Sequence, residues 1–337
     1  MKKISSVGVI GYGFAGQLHA EAVKKVSPAS SVFVTDMDNQ KLHLAHSNGF
    51  RQYANLDSLL AQKPEVVITA LPPSENLQII KKIISLHPHL RGILIEKPLA
   101  LNANDVKKLA VMLSKAGIMS MIGLTGHGFH PEFQRAKEIV QSGVLGRILE
   151  CNEHIYQGAP DFPSHYMTRE YGGVIFELGI HTIDHLCYLF DIENWKVTDA
   201  DYGNPHWGST ASDWCRASLL GKQINGNLIS SQVSWAFTRY RADLNRTNYS
   251  TTIVGTEGKL IIYGFDGLEL SVFDETQIKV STEVFHPKEA SGRDRHIPGY
   301  QSEVEAFLTS VANRTASPVS LEYGVRVHML LDAIISQ

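Results

Sequence analysis

From residue 7 to residue 122 the chain alternates short, continuous apolar runs with amphipathic stretches of helical period. Val7–Ile10, Val32–Thr35, Val66–Ala70, Gly92–Ile95 and Ile118–Ile122 read as strands. Phe14–Val26, Asn39–His46, Glu75–Leu86 and Asn104–Ala116 read as the helices between them. Apolar runs without alternation suit strands covered on both faces, and the strand–helix repetition implies parallel strands joined by crossover helices. The rhythm changes after Gly123. Pro131–Ser142 predicts a helix, with proline in its first turn and Gly143 as its stop. From Leu228 to Phe237 the positions Ile229, Val233, Trp235 and Phe237 are apolar, while Ser230, Gln232 and Ser234 point the other way. That period of two continues in Tyr249–Val254, Lys259–Tyr263 and Leu268–Phe273, and predicts an antiparallel sheet with one face on a core. Helices over Tyr300–Ala312 and Glu322–Ile335 follow. The expected class is α/β plus α+β: a doubly wound parallel sheet in residues 1–123, then a large, mostly antiparallel open sheet in residues 124–337.

The first strand runs directly into Gly11-Tyr12-Gly13-Phe14-Ala15-Gly16 and a helix. A G-x-G-x-x-G string acquires meaning from that strand–turn–helix setting. Gly11 permits the tight turn, Gly13 lets the backbone approach a pyrophosphate, and Gly16 lets helix and strand pack closely. The helix N-terminus, at Phe14 and Ala15, offers N–H groups to the anion. Asp36 ends the second strand, 20 residues after Gly16. A carboxylate there accepts hydrogen bonds from an adenosine ribose and repels a 2′-phosphate. Met37 and Asp38 follow, with no Arg or Ser to welcome one, so a Rossmann domain preferring NAD to NADP is expected.

Composition narrows the partners. A net charge of -3 with no basic stripe argues against nucleic acid; the arginines from Arg239 to Arg246 read as a solvated face. Cys151, Cys187 and Cys215 form no paired framework and suit a reducing cytoplasm. Glycines at 8, 11, 13 and 16 break the apolar run after the basic start, so no signal peptide is expected. No stretch approaches the ~20 apolar residues of a membrane span.

Two further motifs carry chemistry. Glu96-Lys97-Pro98 stands at a strand end, and Gly172-Gly173-Val174-Ile175-Phe176-Glu177-Leu178-Gly179-Ile180-His181-Thr182-Ile183-Asp184 lies downstream. At 100° per residue, Glu177, His181, Asp184 and His185 fall within an arc of roughly 100° on an otherwise apolar helix, a polar stripe fit for a buried active site. His185 is at the stripe's edge and reads as its most dispensable member. Glu177, His181 and His185 at i, i+4 and i+8 also resemble zinc ligands. Three turns reach one metal less easily than two, and the cysteines offer no further ligand, so no metal is expected.

With the glycine fingerprint, Thr69-Ala70-Leu71-Pro72-Pro73-Ser74 and Gly255-Thr256-Glu257-Gly258, these motifs resemble the Gfo/Idh/MocA family of glucose–fructose oxidoreductase and inositol dehydrogenase, over essentially the whole chain. The resemblance implies that Lys97 touches the reacting oxygen and that Pro98 is a cis proline fixing it in place. Without the resemblance, Lys97 would read as a solvated surface lysine. It further implies a nicotinamide loop at Leu71, Pro72 and Asn76, with Glu96 and Lys97 also beside the cofactor. The chain departs from the family pattern in carrying Glu177 for the usual aspartate, and Asn76 where a histidine often stands.

Hydride transfer between NAD and a secondary alcohol of a sugar, cyclitol or derivative is therefore expected. Catalysis falls to Lys97, His181 and Glu177, and substrate binding to Lys97, Tyr156, Glu177, His181 and Asp184. Either His181 or Lys97 could be the base. A transient oxidation by tightly held NAD, as in an epimerase, dehydratase or glycosidase, and an NAD-binding sensor without turnover remain as alternatives. The resemblance also implies that the second face of the C-terminal sheet packs on another subunit, giving a homodimer or homotetramer.

Overall fold

A computed structural model describes residues 3–126, 128–158, 164–190, 195–204, 209–223, 226–238, 249–276, 278–285 and 292–337. Packing divides the chain into two compact units, Met1–Thr125 with His296–Val325, and Gly126–Arg295 with Arg326–Gln337.

The first unit is built on a six-stranded parallel sheet. Its elements are β1 (Ser6–Ile10), α1 (Phe14–Val26), β2 (Ser31–Thr35), α2 (Asn39–Ser47), β3 (Arg51–Gln52), α3 (Leu56–Leu60), β4 (Val66–Thr69), α4 (Pro73–Leu86), β5 (Gly92–Glu96), α5 (Ala103–Lys115) and β6 (Met119–Gly123). The strand order is β3-β2-β1-β4-β5-β6. The order reverses between β1 and β4, and ligands of such sheets bind beyond the carboxyl ends of the strands at that point. Local chemistry sets the helix starts. Asp38 caps α2 by accepting from the Gln40 N–H, Asn55 and Ser58 form a capping box on α3, and Asn102 accepts from the Asp105 N–H on α5. The two-residue β3 and five-residue α3 are too short to carry a hydrophobic period, and the sequence pattern does not show them.

The second unit carries α6 (Pro131–Ser142), β7 (Ile148–Gly158), α7 (Ile180–Phe190), β8 (Trp195–Gly203), β9 (Trp214–Lys222), β10 (Leu228–Thr238), β11 (Tyr249–Gly255), β12 (Gly258–Ile262), β13 (Leu268–Phe273) and β14 (Lys279–Phe285). Its eight-stranded sheet has the order β14-β13-β12-β11-β7-β10-β9-β8. All neighbours are antiparallel except β7 and β10. The pattern of apolar residues misses β7 although it is central, because Glu153 occupies one of its inward positions between Cys151 and Ile155. It misses β14 because that edge strand is largely exposed.

The remaining helices are α8 (Ile297–Asn313) and α9 (Leu321–Ile335). The expected boundary at Gly123 lies two residues from the first crossing between units, but residues 124–337 do not form one block. α8 belongs to the first unit, where Arg91 donates to the Val311 carbonyl at 3.2 Å and a Cβ on Gly92 would stand 2.5 Å from Val311 Cγ2. An amphipathic pattern says that α8 buries Val304, Phe307, Leu308 and Val311; it does not say against which sheet.

Candidate active site

In the first unit the turn after β1 is shaped around its glycines. Gly11 has φ +88°, and a Cβ there would overlap the Ala70 carbonyl oxygen. A Cβ on Gly16 would overlap the Gly11 carbonyl oxygen. At Gly13 a Cβ would meet no described atom within 4 Å, which leaves the backbone open to an approaching ligand. No side chain caps α1 and no acidic residue lies in its first turn, so its N–H groups face outward as an anion site. Those two features fit the pyrophosphate of a dinucleotide.

Asp36 closes the other side. Its Oδ2 accepts from the Tyr12 N–H at 2.6 Å and its Oδ1 from the Asp38 N–H at 2.8 Å. Lys41 Nζ stands 4.0 Å from Oδ2 and is well exposed. The sequence pattern does not single out this cation, because it projects from α2 and not from the strand end. Lys97 follows β5 at the same carboxyl edge of the sheet; it is half-buried, and its N–H donates to the Gly123 carbonyl at 3.2 Å. The Lys97–Pro98 bond is cis. Two depressions on this unit, of about 510 and 480 Å³, are both lined by Pro88, His89 and Arg91, at the opposite strand ends.

In the second unit the glycine pair 172–173 has φ +85° and +68°, and a Cβ on Gly173 would overlap the Ser212 carbonyl. Ile175–Gly179 then forms a π-helical turn leading into α7. The uniform 100° step therefore holds only from Ile180 onward, and Glu177 sits in a wider turn of the kind often found at functional sites. Glu177 and His181 are partly exposed, whereas Asp184 and His185 are 0% and 1% exposed. The four do not share one accessible stripe.

Below α7 lies a buried polar network. Glu153 on β7 accepts from Thr182 Oγ1 and Thr251 Oγ1, both at 2.5 Å, and from His185 Nδ1 at 3.1 Å. Trp235 Nε1 donates to Thr182 Oγ1 at 2.9 Å. Burial alone would push the Glu153 carboxyl up, but the charge of His185 and the hydrogen bonds from His185, Thr182 and Thr251 hold it below the usual carboxylate range. The His185 ring stacks on Phe133 at 3.9 Å and lies 6.5 Å from His181, centre to centre. Burial pushes the thiols of Cys187 and Cys215 up to about 12, so they hold no reactive thiolate at neutral pH.

Residues 5–124 match the family described as "Oxidoreductase family, NAD-binding Rossmann fold", and residues 133–261 match its C-terminal domain. The chain belongs to the Gfo/Idh/MocA oxidoreductase family. It is 28% identical over 234 residues to an uncharacterized oxidoreductase of Schizosaccharomyces pombe, covering 64% of this chain and 58% of that one. It is 27% identical over 188 residues to myo-inositol 2-dehydrogenase of Thermotoga maritima, covering 56% and 55%. The chain thus spans a little over half the length of these curated relatives. Among solved structures, levoglucosan dehydrogenase in complex with NADH and levoglucosan shares the fold at TM-score 0.78 and 20% identity, covering 98% of this chain and 96% of that one. Gal80p of Saccharomyces cerevisiae does so at TM-score 0.81 and 16% identity, covering 99% and 95%.

Within this family frame, the first unit gathers Gly11, Gly13, Phe14, Ala15, Gly16, Asp36, Leu71, Pro72 and Lys97 at the carboxyl edge of its sheet. Three expected site residues have the following side-chain partners. Asn76 is 1% exposed and its Nδ2 donates to the Leu99 carbonyl at 3.0 Å, pinning the segment after Lys97. The Glu96 carboxylate meets His19 Nε2 at 2.7 Å in the interior. Tyr156 alternates with the inward Ile155, so it projects from the sheet face opposite α7, where its hydroxyl meets Ser234 Oγ at 2.9 Å. Residues 159–163 and 239–248, which include Arg239 to Arg246, lie outside the described residues. Among the described residues, the three donors that converge within 4.8 Å are His19, Glu96 and Glu303, and not Glu177, His181 and His185. No described helix is long and apolar enough to cross a membrane.

The sequence pattern also passes over Glu132. It is 2% exposed at the start of α6, and burial, aided by the charge of Asp266 and opposed by its backbone hydrogen bond, raises its carboxyl to about 7. The folded protein therefore binds this proton more tightly than the unfolded chain, and stability falls as pH rises from about 4.5 through about 7. Glu132→Gln is expected to stabilise the protein by about 1–3 kcal/mol at pH 8 and to change little at about pH 4.5, as measured by chemical denaturation at each pH.

Proposed function

We propose that the protein is an NAD-dependent dehydrogenase acting on a secondary alcohol of a sugar, cyclitol or sugar derivative. The observation that carries this reading is the placement of Lys97 at the carboxyl edge of the parallel sheet that also bears the Gly11–Gly16 turn and Asp36. NAD held there supplies the hydride acceptor. In the oxidising direction His181 takes the hydroxyl proton, and Lys97 Nζ donates a hydrogen bond to the same oxygen and stabilises its developing charge. Glu177, partly exposed one turn before His181, orients it or binds a neighbouring hydroxyl. A relative acts on myo-inositol and a structural neighbour binds levoglucosan by name, which supports a polyhydroxylated ring. A panel of cyclitols, hexoses and sugar acids, scored by NADH absorbance, tests the reading; a panel with no response speaks against it.

The cofactor preference follows from Asp36. NAD is expected to bind more tightly than NADP. Asp36→Ser removes the charge facing the 2′-phosphate and leaves Lys41 to receive it, so the gap should narrow about tenfold or more in calorimetry. A wild-type preference for NADP would contradict the assignment.

A second reading is favoured by the likeness to Gal80p, whose Kluyveromyces lactis form is called a transcriptional regulator. In it the chain binds NAD as a sensor without turnover. The presence of both Lys97 and His181 supports the enzyme. We further propose a homodimer or homotetramer in the cytoplasm. Exposed apolar side chains on the second sheet, Leu228 on β10 and Val284 on β14 at 55% and 52%, support self-association. Light scattering at micromolar concentration should give at least a dimer.

A further inference from the structure

Three ionisable side chains that the proposed reaction does not use meet in the interior of the first unit. His19 lies on α1, three residues past Gly16. Glu96 ends β5, beside Lys97. Glu303 lies on α8. They are 0%, 7% and 0% exposed, and their donor atoms lie within 4.8 Å of one another. His19 Nε2 meets Glu96 Oε2 at 2.7 Å. Tyr300, one turn before Glu303, sets its ring against the imidazole at 4.8 Å and 78°. On the other side a Cβ on Gly123 would stand 2.8 Å from Glu96 Oε2, so β6 makes room for the carboxylate only because it ends in glycine. The same Gly123 carbonyl receives the Lys97 N–H.

Apolar side chains could join α1, β5 and α8 at lower desolvation cost, so what this set supplies is fixed geometry. The 2.7 Å separation is that of a charge-assisted hydrogen bond. That contact is a direct hydrogen bond, shorter than the ~3.4 Å between two ligands of a tetrahedral zinc. We propose that His19 is a positioning residue for Lys97. It grips the Glu96 carboxylate while the edge-on Tyr300 ring of α8 holds the imidazole. The helix whose first turn faces the pyrophosphate is thereby joined to the strand end from which the lysine projects, and cofactor seating and lysine placement become one rigid arrangement. The proposal rests on the reading of Lys97 as the group at the reacting oxygen. A misplacement of about 1 Å in such a group costs on the order of 100-fold in rate.

The test compares His19→Leu with His19→Gln, whose amide N–H can still donate to Glu96, in full-length protein labelled with ¹³C at lysine Cε. The Lys97 signal is identified by its loss in Lys97→Arg. In the protein without cofactor, His19→Leu should move the Lys97 signal into the envelope of exposed lysines, while His19→Gln leaves it in place. With NAD and substrate, His19→Leu should lower kcat about 10- to 100-fold with KM for NAD within about 3-fold, and His19→Gln should recover kcat to within about 3-fold of wild type. The resonance needs no turnover, so it judges the positioning even if Lys97→Ala shows that the lysine is not at the reacting centre. An unmoved Lys97 signal in His19→Leu overturns the proposal. So does a folded His19→Gln that behaves as His19→Leu, or stoichiometric zinc in the wild type that His19→Gln loses. Should His19→Leu not fold, His19→Asn, whose amide falls short of Glu96, takes its place in the same comparison.

Discussion

Lys97→Ala is expected to lower turnover by about 100-fold or more and to leave NAD affinity within a few-fold of wild type. The two effects separate because different parts of the sheet edge carry them. In the proposed binding mode the pyrophosphate lies at Gly13 and the first turn of α1, and the ribose at Asp36. Lys97 stands two strands away at the end of β5 and contributes to neither. In the proposed mechanism its ammonium acts where charge grows on the alcohol oxygen, an interaction worth more in the transition state than in the bound substrate, so kcat is expected to fall. Calorimetry with NAD and steady-state kinetics on one substrate give both quantities. Turnover within a few-fold of wild type would remove Lys97 from the mechanism.

His181→Asn is expected to keep the fold and NAD binding, and to lower turnover by about 100-fold or more. Wild-type oxidation should rise through one ionisation between about pH 6 and 8, the range of ordinary histidine, and the substitution should erase it. His181 is the accessible histidine of α7, one turn from Glu177. His185→Asn acts elsewhere. It leaves Glu153 buried without its imidazole partner, a loss of about 3–5 kcal/mol in stability, and so is not the mild change that its place on the stripe suggests. If His181→Asn retains the wild-type ionisation, the base is another group and Lys97 leads.

The cofactor half was legible because its chemistry is local. Gly11, Gly13, Gly16 and Asp36 act through backbone conformation and spacing, which the sequence states directly. The substrate half was legible in its motif but not in its geometry. The π-helical turn at Ile175–Gly179 breaks the uniform period used to align Glu177 with His181, and no residue type announces such a turn. Tyr156 shows a different failure. Strand parity decides which face a side chain takes, and β7 escaped assignment because Glu153 fills an inward position that the apolar pattern leaves blank. Glu153 has no local partner: Thr182, His185 and Thr251 come from α7 and β11. For the same reason the His19–Glu96 pair is hidden: its members lie 77 residues apart in sequence, one just past the glycine motif and one within Glu96-Lys97-Pro98.

The most direct measurement follows the hydride itself. A substrate found in the screen is deuterated at its reacting carbon and turned over with NAD, and the reduced cofactor is weighed by mass spectrometry. The account predicts NADH carrying one deuterium, formed in proportion to ketone and about 100-fold more slowly in Lys97→Ala. Product that forms without labelled NADH, with the deuterium returned to a carbon of the product, would contradict a net dehydrogenase and identify a transient oxidation by held NAD.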